Sequence, residues 1–288
     1  MILFNADDYG ITETQSRHIL ECRSGCLTGV SVMPNSPFLD KTIEAVADDR
    51  ELHAAVHLNL TEGLCLSDPS EIPLLARPTG RFYPSFGRLL LISLTPKRGE
   101  LTAQIQRELT KQIVRVRELL PDRPLWLDGH QHIQMIPAVA DAIARAVLAG
   151  GWPVEHMRWS CEPLRPYLRK VSFWKDYRPV NIVKNIVLNT LSLFARKHMR
   201  RMGLRCNLVM GLVVSGDMEL RYVRALLPEM ERIAARRGKD LELVMHPGWG
   251  IRSGEGLDVP GGVFEKFYLD PGRKKEYDCL RELFRDNI

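Results

Sequence analysis

One pattern constrains this chain more than any other: short apolar runs alternate with amphipathic stretches from end to end. Residues 1–5 (MILFN), 27–33 (LTGVSVM), 52–58 (LHAAVHL), 124–128 (PLWLD), 154–159, 207–214 and 241–246 each have strand length and strand composition. Helical spacing covers 13–24, 37–48, 99–120, 137–149, 218–237 and 272–285. A strand–helix order repeated about seven times implies a parallel sheet with helical crossovers. In 288 residues, that order predicts a single α/β domain with a (β/α) barrel-like fold, for which fewer than eight complete units suffice. No GxGxxG or GxxxxGK[ST] follows a strand, which disfavours a nucleotide-binding sheet. No linker or internal repeat divides the chain, so residues 1–288 read as one domain. Residues 61–98 are rich in Pro, Gly and Ser and read as one long loop, which predicts a functional lid.

The barrel reading gives meaning to polar residues at strand ends. In a parallel barrel every strand opens its C-terminal end on the same face, where active sites are built. Asp7-Asp8 follow the first run, His57 ends the third, Asp128-Gly129-His130-Gln131-His132 end the fourth, and His246-Pro247-Gly248 end the last. Taken singly each has a plain explanation: a turn or helix cap for the Asp pair, a packed imidazole for His57, a turn for His246. His130 and His132 share a direction only if the backbone stays extended. Arriving together on one face, they read as a site. A carboxylate and two neutral imidazoles make a three-ligand site for one divalent cation, Mg2+ or Zn2+. One Asp would then bind metal while its neighbour acts as base, with His246 as acid from the opposite wall. His18, His53, His156 and His198 have no such placement and read as structural or surface residues.

At these residues the chain resembles the YdjC-like family, carbohydrate deacetylases that include the ChbG type acting on chitooligosaccharides and the HpnK type of hopanoid biosynthesis. The matching segments are Asn5-Ala6-Asp7-Asp8-Tyr9-Gly10, Val56-His57-Leu58-Asn59-Leu60, Leu127-Asp128-Gly129-His130-Gln131-His132 and Met245-His246-Pro247-Gly248. The resemblance implies metal-dependent hydrolysis of an N-acetyl group from an amino sugar, releasing acetate. By position it makes Asp8, His57 and His130 the metal ligands, Asp7 the general base and His246 the general acid. Asp128 and His132 become supporting or substrate-binding residues. The family often carries a third histidine where this chain has Gln134, a change expected to alter substrate contacts rather than the ligand set. The alternatives are another metal hydrolase on a related barrel, such as an amidase or phosphoesterase, and a non-catalytic carbohydrate- or lipid-binding protein.

Charge separates one region from the rest. The chain holds 40 Lys/Arg and 35 Asp/Glu, a net +5 too small for a bulk nucleic-acid binder. Residues 151–210 hold 12 Lys/Arg and 3 Asp/Glu, leaving the remainder at −4. This surplus is read as an insertion at about 161–205, lying outside the metal site. Within it, 180–195 carries apolar positions at helical spacing and 196–205 adds a cationic end. Plain packing on the barrel, a homo-oligomer interface, and peripheral contact with an anionic membrane through about 180–205 all fit that pattern. Six scattered cysteines without a CxxC pair, no signal-peptide pattern and no apolar run near the roughly 18 residues of a membrane span predict a cytoplasmic protein.

Overall fold

The computed structural model describes residues 1–257 and 263–283. Seven strands form one sheet: β1 Ile2–Tyr9, β2 Gly29–Val32, β3 His53–Leu58, β4 Leu125–Gly129, β5 Val154–Met157, β6 Leu208–Met210 and β7 Leu241–Met245. Their order is β5-β4-β3-β2-β1-β7-β6, and every pairing is parallel. The helices are α1 Glu13–Glu21, α2 Leu39–Thr42, α3 Glu44–Asp48, α4 Phe86–Ser93, α5 Arg98–Leu119, α6 Pro137–Gly150, α7 Arg165–Arg169, α8 Pro179–Arg201, α9 Leu220–Arg236, α10 Val263–Tyr268 and α11 Gly272–Glu282. The sheet curls into a barrel-like fold with seven strands rather than eight. The chain just after β5 spans the gap to β6: Val209 N donates to Cys161 O at 3.1 Å, and Trp159 N donates to the Asn207 side chain at 2.7 Å.

Alternation along the strands sorts side chains into two layers. Phe4, Ala6, Val30, Val56 and Leu127 join the main apolar core beneath the helices. Leu3, Ala55 and Trp126 form a separate cluster on the concave side. Trp126 stacks on His53 at 4.1 Å between ring centroids and lies 4.6 Å from His156, so both histidines belong to this inner floor. Helix α5 buries Leu101, Ile105, Leu109, Ile113 and Val116, one stripe at steps of three and four. Each such side chain, fully buried, contributes about 1.5–3 kcal/mol.

The predicted elements are all present, with adjustments. The 37–48 helix is split into α2 and α3. Strand β1 runs on through Asp7 and Asp8, beyond its expected end. The 61–98 stretch contains helix α4, whose Leu89-Leu90-Leu91-Ile92 run has no polar face to mark it; Ser85 caps it by accepting from Arg88 N at 3.3 Å. Nor is the stretch a loose lid. Three buried residues one turn apart on α5 hold it and the residue leading into it: Glu108 accepts from Ser67 N at 2.9 Å, Gln104 from Leu74 N at 2.8 Å, and Gln112 from Asn59 N, just before the stretch, at 2.9 Å.

Candidate active site

The C-terminal ends of β1, β3, β4 and β7 bring the predicted residues together. Consecutive strand residues ordinarily face opposite sides, yet both Asp7 and Asp8 serve the same mouth. The pairing of β1 with β2 slips between Ala6 and Tyr9, and Asp8 takes a left-handed backbone with φ 69°. The turn after β4 uses the same device, with Gln131 at φ 55° and His132 at φ 61°. These three are the only non-glycine residues with positive φ among the described residues, and all three lie at the site.

Asp8, His57 and His130 form a buried group that could hold a metal ion. Asp8 Oδ1 lies 3.5 Å from His57 Nε2 and 3.1 Å from His130 Nδ1. The outer nitrogens are committed elsewhere. His57 Nδ1 donates to Asp128 Oδ1 at 2.6 Å, and His130 Nε2 donates to Glu62 Oε2 at 2.9 Å. A carboxylate only accepts, so with a cation bound each partner would keep the outer N–H and leave the inner ring nitrogen free to ligate. Asp8 Oδ2 is buried without a hydrogen bond. Two imidazoles and one carboxylate with an unused oxygen fit a divalent cation by donor chemistry.

Arg158 anchors the other side. Its two terminal nitrogens each reach an Asp7 oxygen at 2.7 Å, one of them lies 2.8 Å from Asp128 Oδ2, and Nε donates to Glu242 Oε1 at 2.8 Å. Asp7 also accepts from Asn5 at 2.9 Å and Ser31 at 3.1 Å. Its Oδ2 faces His246 Nε2 at 3.9 Å and His57 Nε2 at 4.0 Å. The His246 ring is set between Asp7 and Glu276, whose carboxylate lies 3.5 Å from Nδ1 and accepts from His246 N.

Burial alone would raise both aspartates, but their partners outweigh it. Arg158 and His57 hold Asp7 well below the usual carboxylate range, and hydrogen bonds from His130 and His57 do the same for Asp8. Burial would likewise lower the imidazoles, but Asp128 and Asp7 raise His57 to about 10, and Asp8 and Glu62 raise His130 to about 9. His132 differs. Burial, with Lys184 and Arg158 nearby, keeps it well below its ordinary value and therefore neutral.

His132 does not point where His130 points. The left-handed turn swings it to Ser160, whose Oγ lies 2.8 Å from Nδ1. Gln134 is buried beneath and donates to the same Ser160 at 3.1 Å, so it acts through Ser160 and His132. Arg273 is fully buried against the Phe267 and Tyr268 rings, 3.8 Å from Asp8 Oδ2, with no hydrogen bond to its guanidinium.

One expectation needs correction. The basic surplus does not lie wholly outside the site, because Arg158 is its buried hub. Lys184, on the inner side of α8 in the insertion, places a partly buried ammonium in the field of Asp7, Glu162 and Asp8. Sequence reasoning also missed Glu62, Glu242, Glu276 and Arg273. For Glu242 a signal existed: it is a charged residue at the inward step of an apolar strand run. Glu62, Glu276 and Arg273 arrive from a loop and a final helix, and no spacing announces them.

A solved structure from Enterococcus faecalis V583, named for cellobiose-phosphate cleavage, matches with a TM-score of 0.64 at 16% identity, covering 98% of this chain and 90% of that one. At that identity it speaks for the fold. A carbohydrate deacetylase of Danio rerio is 28% identical over 204 residues, 69% of this chain. That stretch spans 62% of the relative, less than two thirds of its length. The family model described as YdjC-like protein matches residues 1–283, and with the Asp8, His57 and His130 group at the barrel mouth the chain belongs to the YdjC-like family.

Proposed function

We propose that the protein is a metal-dependent hydrolase that removes the acetyl group from an acetylated amino sugar. The observation that carries this reading is the convergence of a three-ligand group with an Asp7–His246 pair 3.9 Å apart on one face. Asp8, His57 and His130 would hold one divalent cation, and two imidazoles favour zinc over magnesium. A second cation at Asp7, His57 and Asp128 would compete with the Arg158 guanidinium, which both carboxylates already bind. That supports one ion and weighs against a two-metal phosphoesterase.

When bound, such an ion acidifies a water and polarises the acetamide carbonyl. Asp7, held ionised by Arg158, accepts the proton of the attacking water through Oδ2, the oxygen turned toward the mouth. His246 donates to the departing amine, with Glu276 behind the ring to stabilise the charged imidazole. Asp128 and Glu62 orient His57 and His130, while His132, kept neutral, lines the site beside Ser160.

Six free thiols fit the cytoplasmic reading, and among the described residues no helix is long and apolar enough to cross a membrane. The test is acetate release from N-acetylglucosamine oligosaccharides and glycolipids, with and without added metal. Asp7→Asn should lower the rate by about 10²–10⁴ with metal binding retained. Full activity in that variant removes Asp7 as base, and no acetate from any substrate with the metal-loaded protein overturns the deacetylase reading.

A further inference from the structure

Several large apolar side chains are exposed on α8 and at the end of α4. Leu91 of α4, Leu94 just after it, and Val183, Ile186, Leu193 and Phe194 of α8 are between 52% and 73% exposed. Phe86 and Leu90 of α4 pack on the same small cluster as Val187 of α8, so both helices cover one layer. An exposed apolar helix face marks an interaction site.

The stripe on α8 changes character along its length. Val183, Ile186, Thr190, Leu193, Lys197 and Arg200 follow one another at steps of three and four on a single helical face. It begins apolar and ends cationic. Arg196, Lys197 and Arg200 are exposed and make no hydrogen bond or ion pair with a described residue. Residues 177–216 contain no Asp or Glu at all. Lys97 is exposed at the α4–α5 corner, and Arg98 beside it acts on His198 of α8, which extends the cationic patch.

We infer that this face rests on an anionic lipid bilayer. An apolar face with a cationic end is the pattern of a helix lying in the interface. Anionic headgroups complement the unpaired Arg and Lys. A second copy of the chain fits worse, because a two-fold contact would set this acid-free stripe against itself. The opposite side of the same helix packs inward: Asn181 donates to Val213 O at 3.1 Å and Asn185 donates to Glu162 Oε2 at 2.8 Å. The bilayer contact does not rest on the deacetylase reading.

The experiment is co-sedimentation of the full chain with vesicles of neutral phosphatidylcholine, and of phosphatidylcholine mixed with phosphatidylglycerol. Wild type should bind the anionic vesicles at least about tenfold more tightly, with binding weakened by salt. Leu193→Asp with Phe194→Asp, and separately Arg196→Glu with Lys197→Glu, should each reduce that binding about tenfold or more. All four positions are exposed, and circular dichroism checks that the fold is kept. Absence of binding to anionic vesicles overturns the inference. So does binding indifferent to both variant pairs, or a dimer in sedimentation equilibrium that the Asp pair dissociates.

Discussion

The two arcs of the barrel mouth are built on different principles. On the β1, β3 and β4 side, functional residues come in short local clusters, Asp7-Asp8 and Asp128 to His132, and reach the mouth through left-handed turns. On the β5 and β7 side, they come singly: Arg158, Glu242 and His246, with Glu276 added from α11. The first arc supplies the group that could hold a metal, with Asp7 beside it. The second supplies His246 and the Arg158 guanidinium that keeps Asp7 ionised. Asp7 shows the dependence, since it is placed by β1 yet kept ionised by an arginine that follows β5.

That division can be broken most severely at its hub. Arg158→Met leaves Asp7, Asp128 and Glu242 buried around an apolar side chain. Removing one partner of a buried ion pair costs about 3–5 kcal/mol, so urea unfolding should show a loss of at least that size. A loss below about 1 kcal/mol would mean the arcs stand independently. Next comes protonation. His57 and His130 are raised above their unfolded value of 6.5, to about 10 and about 9, so in metal-free protein both stay charged at neutral pH. Their stabilising effect is complete below 6.5 and fades as pH climbs through 9 and 10. A cation must displace those protons. The gain in Tm on adding zinc should therefore grow from pH 6.5 towards 9, and a gain that shrinks over that range contradicts the assignment of these rings as ligands. The smallest expected effect is at Glu62. Glu62→Gln loosens the His130 tautomer and should weaken zinc binding about 10–100-fold in a chelator competition. Unchanged affinity would detach Glu62 from the metal group.

The same contrast explains what could be read in the sequence. Strand and helix order was legible because buried parallel strands read as continuous apolar runs, and the sidedness of α5 shows in its spacing. Asp7, Asp8, His57, His130 and His246 were legible because strand ends in a parallel barrel must converge. Arg158 was not, because it sits among twelve basic residues and a charge count cannot tell a buried guanidinium from a solvated one. Glu62 was hidden by the reading of 61–98 as a lid. The staples from Gln104, Glu108 and Gln112 that hold this stretch and the residue leading into it are side chain to backbone bonds, which leave no periodic mark. The direction of His132 was hidden too, since it depends on a left-handed turn that no glycine announces.

That turn has a consequence for evolution and engineering. A left-handed conformation costs an ordinary L-residue about 1 kcal/mol relative to glycine. Asp8 and His132 have site partners that hold them in it, whereas the Gln131 side chain has only a bond to the Thr61 hydroxyl at 2.9 Å. Position 131 is thus a reserve of unused robustness. A glycine or asparagine there could offset a destabilising change elsewhere, letting the barrel tolerate new substrates around an unaltered Asp8 and His130.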